Sequence, residues 1–144
     1  MQTQLLQHPT GEQLDQLMAI WLAGNLAAHP FIKPDYWYQQ APAVRLALPK
    51  ARLIVATLAE NIVGFIGLQG HYIAGIFVQQ NAQQRGVGTA LLTAAKAQTH
   101  KLQLSVYVAN RPAVAFYHHS GFHVHEQRID KATRQPEYTM RWRR

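Results

Sequence analysis

The residues Gln83-Gln84-Arg85-Gly86-Val87-Gly88-Thr89 bring together groups suited to holding a phosphate. They follow an apolar run, Ile76-Phe77-Val78, and lead into Val87, Ala90, Leu91, Ala94 and Ala95, which recur at helical spacing. The two glycines therefore fall where a helix begins. First-turn N–H groups have no acceptor inside their helix and lie at the positive end of its dipole, so they favour an anion. Gly86 and Gly88 put no Cβ between backbone and ligand, and Arg85 adds a cation suited to phosphate. Taken alone, these residues fit an ordinary strand-to-helix turn equally well. They make no Walker loop, because no Gly-Lys-Ser/Thr follows. Nor do they make a dinucleotide fingerprint, because Leu91 stands where a third glycine is needed.

A second group lies downstream in Asn110-Arg-Pro-Ala-Val-Ala-Phe-Tyr117-His-His-Ser-Gly121-Phe122. A phenol with an unperturbed pKa near ~10 still carries its proton at neutral pH, so Tyr117 can act as a general acid. The plainer alternative is a buried tyrosine with a structural partner. Asn110 fits either a helix cap or a ligand contact.

In their order and spacing, these two groups resemble the paired hallmarks of the GNAT N-acetyltransferase superfamily. Gln83-x-x-Gly86-x-Gly88 is similar to its acetyl-CoA-binding motif, and the Asn–Tyr–Gly-Phe series to its second motif. The likeness runs over nearly the whole chain, more loosely in the first 50 or so residues. There, His29-Pro30-Phe31-Ile32 followed by Tyr36-Trp37 is similar to the YiaC-like subgroup of small bacterial members.

The resemblance implies direct attack of a primary amine on acetyl-CoA, with Tyr117 as the acid beside the sulfur. The amine could be a small molecule, a protein lysine or a protein N-terminus. It also implies a cofactor site in which Ile76, Phe77 and Val78 meet the pantetheine arm. Gln83, Gln84, Arg85, Gly86, Val87, Gly88 and Thr89 would hold the pyrophosphate, and Asn110 and Tyr117 would complete the site. Phe31, Trp37, Ser105 and Tyr107 would face the acceptor. The general base is the gap in this scheme. Many relatives carry a glutamate on the strand of Tyr72 to Val78 or on the one bearing Ser105, and neither strand here is acidic. His71 is the candidate, since an imidazole titrates near pH ~6.5, although a turn-surface histidine explains it as simply. An α-amine, with a pKa near ~8, needs less help than a lysine near ~10.4, which favours a low-pKa acceptor. The missing carboxylate also fits an alternative, a catalytically weak module that binds acyl-CoA or a partner.

Composition narrows the field. With 48% hydrophobic residues in 144, the chain can bury the core of one domain. It has no cysteine, which excludes disulfides, thiolate metal sites and a cysteine nucleophile. His118, His119, His123 and His125 have no interleaved carboxylate, so no metal is expected. No apolar run reaches the ~20 residues of a membrane span, and no signal peptide is visible, so a cytoplasmic protein is expected. The net charge of +7 suits an acidic ligand such as coenzyme A. No recognition helix or aromatic-basic stripe points to specific nucleic-acid binding. A monomer or a homodimer would serve. Arg141-Trp142-Arg143-Arg144 reads as a solvated tail.

The elements needed to position these groups follow from periodicity. Thr10-x-x-Gln13 is a capping box ahead of Leu14, Leu17, Met18, Trp21 and Leu22 at helical spacing. A second helical stretch runs to about Leu48, with Pro42 expected to kink or divide it. Leu53 to Ala59, Ile62 to Gln69 and Tyr72 to Val78 read as a strand meander. The glycine-led helix is expected to end near His100. Leu102, Leu104, Val106 and Val108 alternate with polar residues, marking a two-faced strand. Another helix and two strands close the chain. The predicted order β-α-α-β-β-β-α-β-α-β-β is that of the α/β GNAT fold. That fold is a mixed, twisted sheet of six to seven strands with helices on both faces.

Overall fold

A computed structural model describes residues 1–144. The first strand, β1 (Gln2–Leu6), is followed by helices α1 (Gly11–Ala28) and α2 (Pro34–Ala47). Strands β2 (Arg52–Leu58), β3 (Asn61–Gln69) and β4 (Tyr72–Val78) then form an antiparallel meander. Helix α3 (Val87–Lys96), strand β5 (Lys101–Tyr107) and helix α4 (Arg111–His119) precede the hairpin of β6 (His123–Asp130) and β7 (Gln135–Arg143). The seven strands make one sheet in the order β1-β2-β3-β4-β5-β7-β6.

Helix starts follow their sequence signals. Thr10 Oγ1 accepts from the Gln13 N–H at 3.1 Å, and Gln13 Oε1 accepts from the Thr10 N–H at 2.9 Å, completing the capping box. Gly86 has φ +80° at the start of α3, a conformation that glycine adopts without steric cost. Gly121, with φ +93°, ends the turn after α4.

Apolar side chains on the two faces of the sheet form two cores. Ile66, Leu91, Leu104, Tyr117, Phe122 and Met140 pack beneath α3 and α4. Leu17, Trp21, Trp37, Leu53, Val55 and Phe65 pack beneath α1 and α2. Strand β5 serves both cores, with Leu102, Leu104 and Val106 in the first and Tyr107 against the second.

Three expectations need correction. Pro42 does not divide α2, which runs unbroken from Pro34 to Ala47. Pro42 is exposed, so its missing hydrogen bond falls on the solvent side, where water can satisfy the freed carbonyl. Helix α3 stops at Lys96 rather than near His100, and a turn carries the chain on to β5. The C-terminal basic residues are exposed but are no tail. Arg141 and Arg143 belong to β7, and Arg144 donates to the carbonyls of Lys96 and Thr99 at 2.6 and 3.1 Å. The guanidinium thus caps the carbonyl end of α3, where a cation is favoured.

Gly64 shows how closely β3, β4 and α3 approach. A Cβ there would stand 2.9 Å from the Phe77 carbonyl oxygen and 3.0 Å from Val87 Cγ1. Gly11 has open space around it. Gly64→Ala is expected to cost about 1–3 kcal/mol in urea denaturation, whereas Gly11→Ala stays within about 0.5 kcal/mol of wild type. Equal effects would contradict this packing.

Candidate functional site

Strands β4 and β5 are parallel neighbours at only two positions, Tyr72 with Gln103 and Ile73 with Leu104. Beyond them the strands part. A cleft of about 760 Å³ opens in the gap, with Ala74 to Val78 on one wall and Ser105 to Tyr107 on the other. The end of α1 and the start of α4 supply the remaining walls. A register shift between Gly67 and Leu68 places Ala74 as an extra residue on β4 where the divergence begins.

Tyr117 comes into this cleft from α4. Its ring packs against Phe116 and Phe122, at centroid distances of 5.3 and 5.7 Å. The residue is 8% exposed. Burial, followed by the influence of Tyr72, raises the phenol's pKa well above its usual value. Tyr117 therefore keeps its proton throughout the physiological range.

The opposite wall is aromatic. His29 stacks on Trp37 at 5.1 Å and meets the edge of Tyr107 at the same distance, while Phe31 lies 5.8 Å from Tyr107. Phe31, Trp37, Ser105 and Tyr107 all line the cleft, so the structure brings together the four residues expected at the acceptor side. Trp37 is 7% exposed, and its indole N–H is buried without a partner. Tyr107 donates to Asp130 Oδ2 at 2.7 Å.

Asn110 caps α4 and also contacts the end of α1. Its Oδ1 accepts from the Ala113 N–H at 3.4 Å, capping α4, and its Nδ2 lies 3.3 Å from His29 Nε2. With the oxygen committed to the cap, Nδ2 donates to His29, which leaves the imidazole proton on Nδ1. This contact joins the end of α1 to the start of α4 across the cleft.

The glycine loop begins at the cleft and leads away from it. Gln83 lines the wall and donates from Nε2 to the Val78 carbonyl at 3.2 Å. Gln84, Gly86, Val87, Gly88 and Thr89 lie beyond the wall, and Arg85 faces a separate depression beside Gln16 and Asn61. Positive φ at Gln84 and Gly86 turns this backbone. Outside the regular helix and strand ladders, no N–H from Gln84 to Thr89 donates to a backbone carbonyl. A run of free donors at a helix start fits the oxygens of a diphosphate. Ile76, Phe77 and Val78 line the cleft.

The structure does not bring His71 to the cleft. It occupies the exposed turn between β3 and β4, with Nδ1 3.0 Å from Thr99 Oγ1. No group of three or more His, Asp or Glu side chains gathers to hold a metal ion. Among the wall residues that sequence reasoning missed, His29 and Glu137 carry titratable side chains that bear on the chemistry. His29 carried a signal as a histidine at a helix end beside Pro30 and Phe31. Glu137 carried none, because only the pairing of β5 with β7 sets it opposite Tyr107.

Burial lowers the pKa of His29 from 6.5 to about 4, opposed by the backbone of Asn25. The folded protein therefore holds this imidazole neutral at pH values where the unfolded chain would protonate it. The resulting stability is present above pH 6.5 and is lost as pH falls toward about 4. Because the ring is partly open to solvent, the effect is on the order of 1–2 kcal/mol. Urea denaturation at about pH 7 and about pH 4.5 should show wild type losing more stability than His29→Gln by that amount. Equal losses would contradict it.

Residues 8–136 match the model of the acetyltransferase (GNAT) domain. The chain is 34% identical over 132 residues to the peptidyl-lysine N-acetyltransferase YiaC of Escherichia coli, covering 90% of each chain. It is 33% identical over 114 residues to the peptidyl-lysine N-acetyltransferase YjaB of the same organism, covering 78% of each. The solution structure of apo YjaB from Escherichia coli superposes with a TM-score of 0.85 at 28% identity, covering 99% of this chain and 98% of that one. The PaiA N-acetyltransferase of Thermoplasma acidophilum, solved with coenzyme A, shares the fold at a TM-score of 0.81 and 16% identity over the full length of both chains. The parted strands, the open helix start and the buried phenol are thus features of a chain that belongs to the GNAT family of acetyltransferases.

Proposed function

We propose that the protein transfers the acetyl group of acetyl-CoA to the side-chain amine of a protein lysine. The observation that carries this reading is the placement of Tyr117. Its protonated, buried phenol faces a cleft bounded by two diverging strands, one of which leads into the free N–H groups of the glycine loop. The names of the two Escherichia coli relatives move the acceptor from a low-pKa amine toward lysine.

Each residue then has a task. The N–H groups from Gln84 to Thr89 hold the diphosphate of the donor, with Gln83 bracing the turn. Backbone groups of Ile76, Phe77 and Val78 pair with the extended amide arm as an added strand would. The acceptor enters past Phe31, Trp37 and Tyr107. Its neutral nitrogen attacks the thioester carbonyl, a C–N bond forms and the C–S bond breaks. Tyr117 gives its phenolic proton to the departing sulfur, the proton lost by nitrogen passes to solvent at the open side of the cleft, and a proton from solvent restores Tyr117. Holding both reactants in near-attack geometry supplies much of the rate. Strands β4 and β5 carry no acidic residue. That absence favours a second reading, a weak enzyme that binds acyl-CoA without efficient transfer.

Thiol release from acetyl-CoA in the presence of a lysine peptide separates the two readings. Tyr117→Phe is expected to lower kcat by about a hundredfold while KM for acetyl-CoA changes less than about threefold. An unchanged kcat would remove Tyr117 from the acid role. Donor binding with no amine-dependent release by wild type would favour the second reading.

A further inference from the structure

We infer that Glu137 is the carboxylate that receives the cationic amine of the acceptor, and that Arg128 occupies this carboxylate until the acceptor displaces it. The inference rests on the acetyl-transfer reading and deepens it, by naming what selects a charged amine.

Charge distribution is the first support. The protein carries +7 overall, yet no lysine, arginine or aspartate lines the cleft. With His29 held neutral, Glu137 is the one fully charged side chain of the wall. Register is the second. Glu137 on β7 pairs with Tyr107 on β5 and with Arg128 on β6. Directly opposed residues share a face of a sheet, and Tyr107 packs against the core of α1 and α2. Glu137 therefore stands on the aromatic side of the cleft.

The hydrogen bonding is the third. Glu137 has 15% of its side chain exposed, and its Oε1 accepts from Arg128 Nε at 3.1 Å. Its Oε2 has no partner in the chain. The same guanidinium reaches Ser105 Oγ at 3.4 Å and comes within 3.9 Å of Glu126. Arg128 thus lies over Glu137 and Ser105, where an alkylammonium would meet the wall. A half-buried carboxylate is costly to leave unpaired. Arg128 is 53% exposed, however, and an ion pair with such a partner is weak and easily exchanged. Asp130, also near the mouth, is already committed. It accepts from Tyr107 Oη, Thr133 Oγ1 and the Ala132 N–H at 2.7, 3.2 and 3.0 Å.

Two substitutions that break the same ion pair should act in opposite directions. Binding of a lysine-containing peptide to the coenzyme A-loaded protein is measured by calorimetry for wild type, Glu137→Gln and Arg128→Gln. Thermal unfolding shows that each variant is folded, and thiol release from acetyl-CoA is followed in parallel. Glu137→Gln is expected to weaken the peptide about tenfold, the loss of one charge-assisted contact. Arg128→Gln is expected to tighten it about threefold by removing the competitor. A peptide whose lysine is replaced by norleucine should not distinguish the three proteins. Weakening by both variants would make the pair a structural strut and overturn the inference, as would no effect from either or no peptide binding to wild type. If the opposed binding shifts appear while wild type releases no thiol, the amine site stands and the enzymatic reading fails.

Discussion

The short parallel contact between β4 and β5 is the constraint on which the site depends. Each strand has a longer partner on its other side. β3 grips β4 from Gly64 to Gln69, and β7 grips β5 over all of Lys101 to Tyr107. Between them only two register positions survive. The facing strand edges beyond those positions leave main-chain donors and acceptors in search of partners. An extended ligand with its own amides can take up that pairing, as an inserted strand would.

Polarity is divided along the cleft. At one end the backbone of the glycine loop offers donors without a full charge, with Arg85 as the neighbouring cation. At the other end the wall is aromatic, neutral at His29 and anionic at Glu137. On the proposed reading, an anionic donor and a cationic acceptor would occupy opposite ends of the cleft. Tyr117 lies between them, kept protonated by its burial among Phe116, Phe122 and the core beneath α4. The stack of His29 on Trp37, pinned to Asn110, fixes the wall opposite.

Features encoded by neighbouring residues were legible in the sequence. The capping box at Thr10, the glycine start of α3, the alternation in β5 and the order of elements all rest on short spacings, and the structure has each of them. Phe31, Trp37, Ser105 and Tyr107 could be assigned to one wall only by family likeness, and they do meet there. Features set by pairing over long separations were not legible. Glu137 reaches the cleft because β7 inserts between β5 and β6, a choice that no local pattern announces. His71 looked available because a turn histidine and a cleft histidine have the same sequence signature. Pro42 was expected to kink or divide α2, and the division does not occur because its exposed side, which cannot be told from the buried side until the helix is packed, tolerates the missing hydrogen bond. The terminal arginines appeared free because the carbonyl end of α3, which Arg144 caps, is distant in the chain.

Coenzyme A titrated into the isotope-labelled protein, with backbone amide resonances followed by NMR, tests the donor site most directly. Saturable shifts are expected to concentrate at Gln84 to Thr89 and along Ile76 to Val78, with the hairpin of β6 and β7 little affected. A protein that shows no saturable shift, or whose shifts gather away from the glycine loop and the parted strands, would contradict the assignment of this cleft to the acetyl donor.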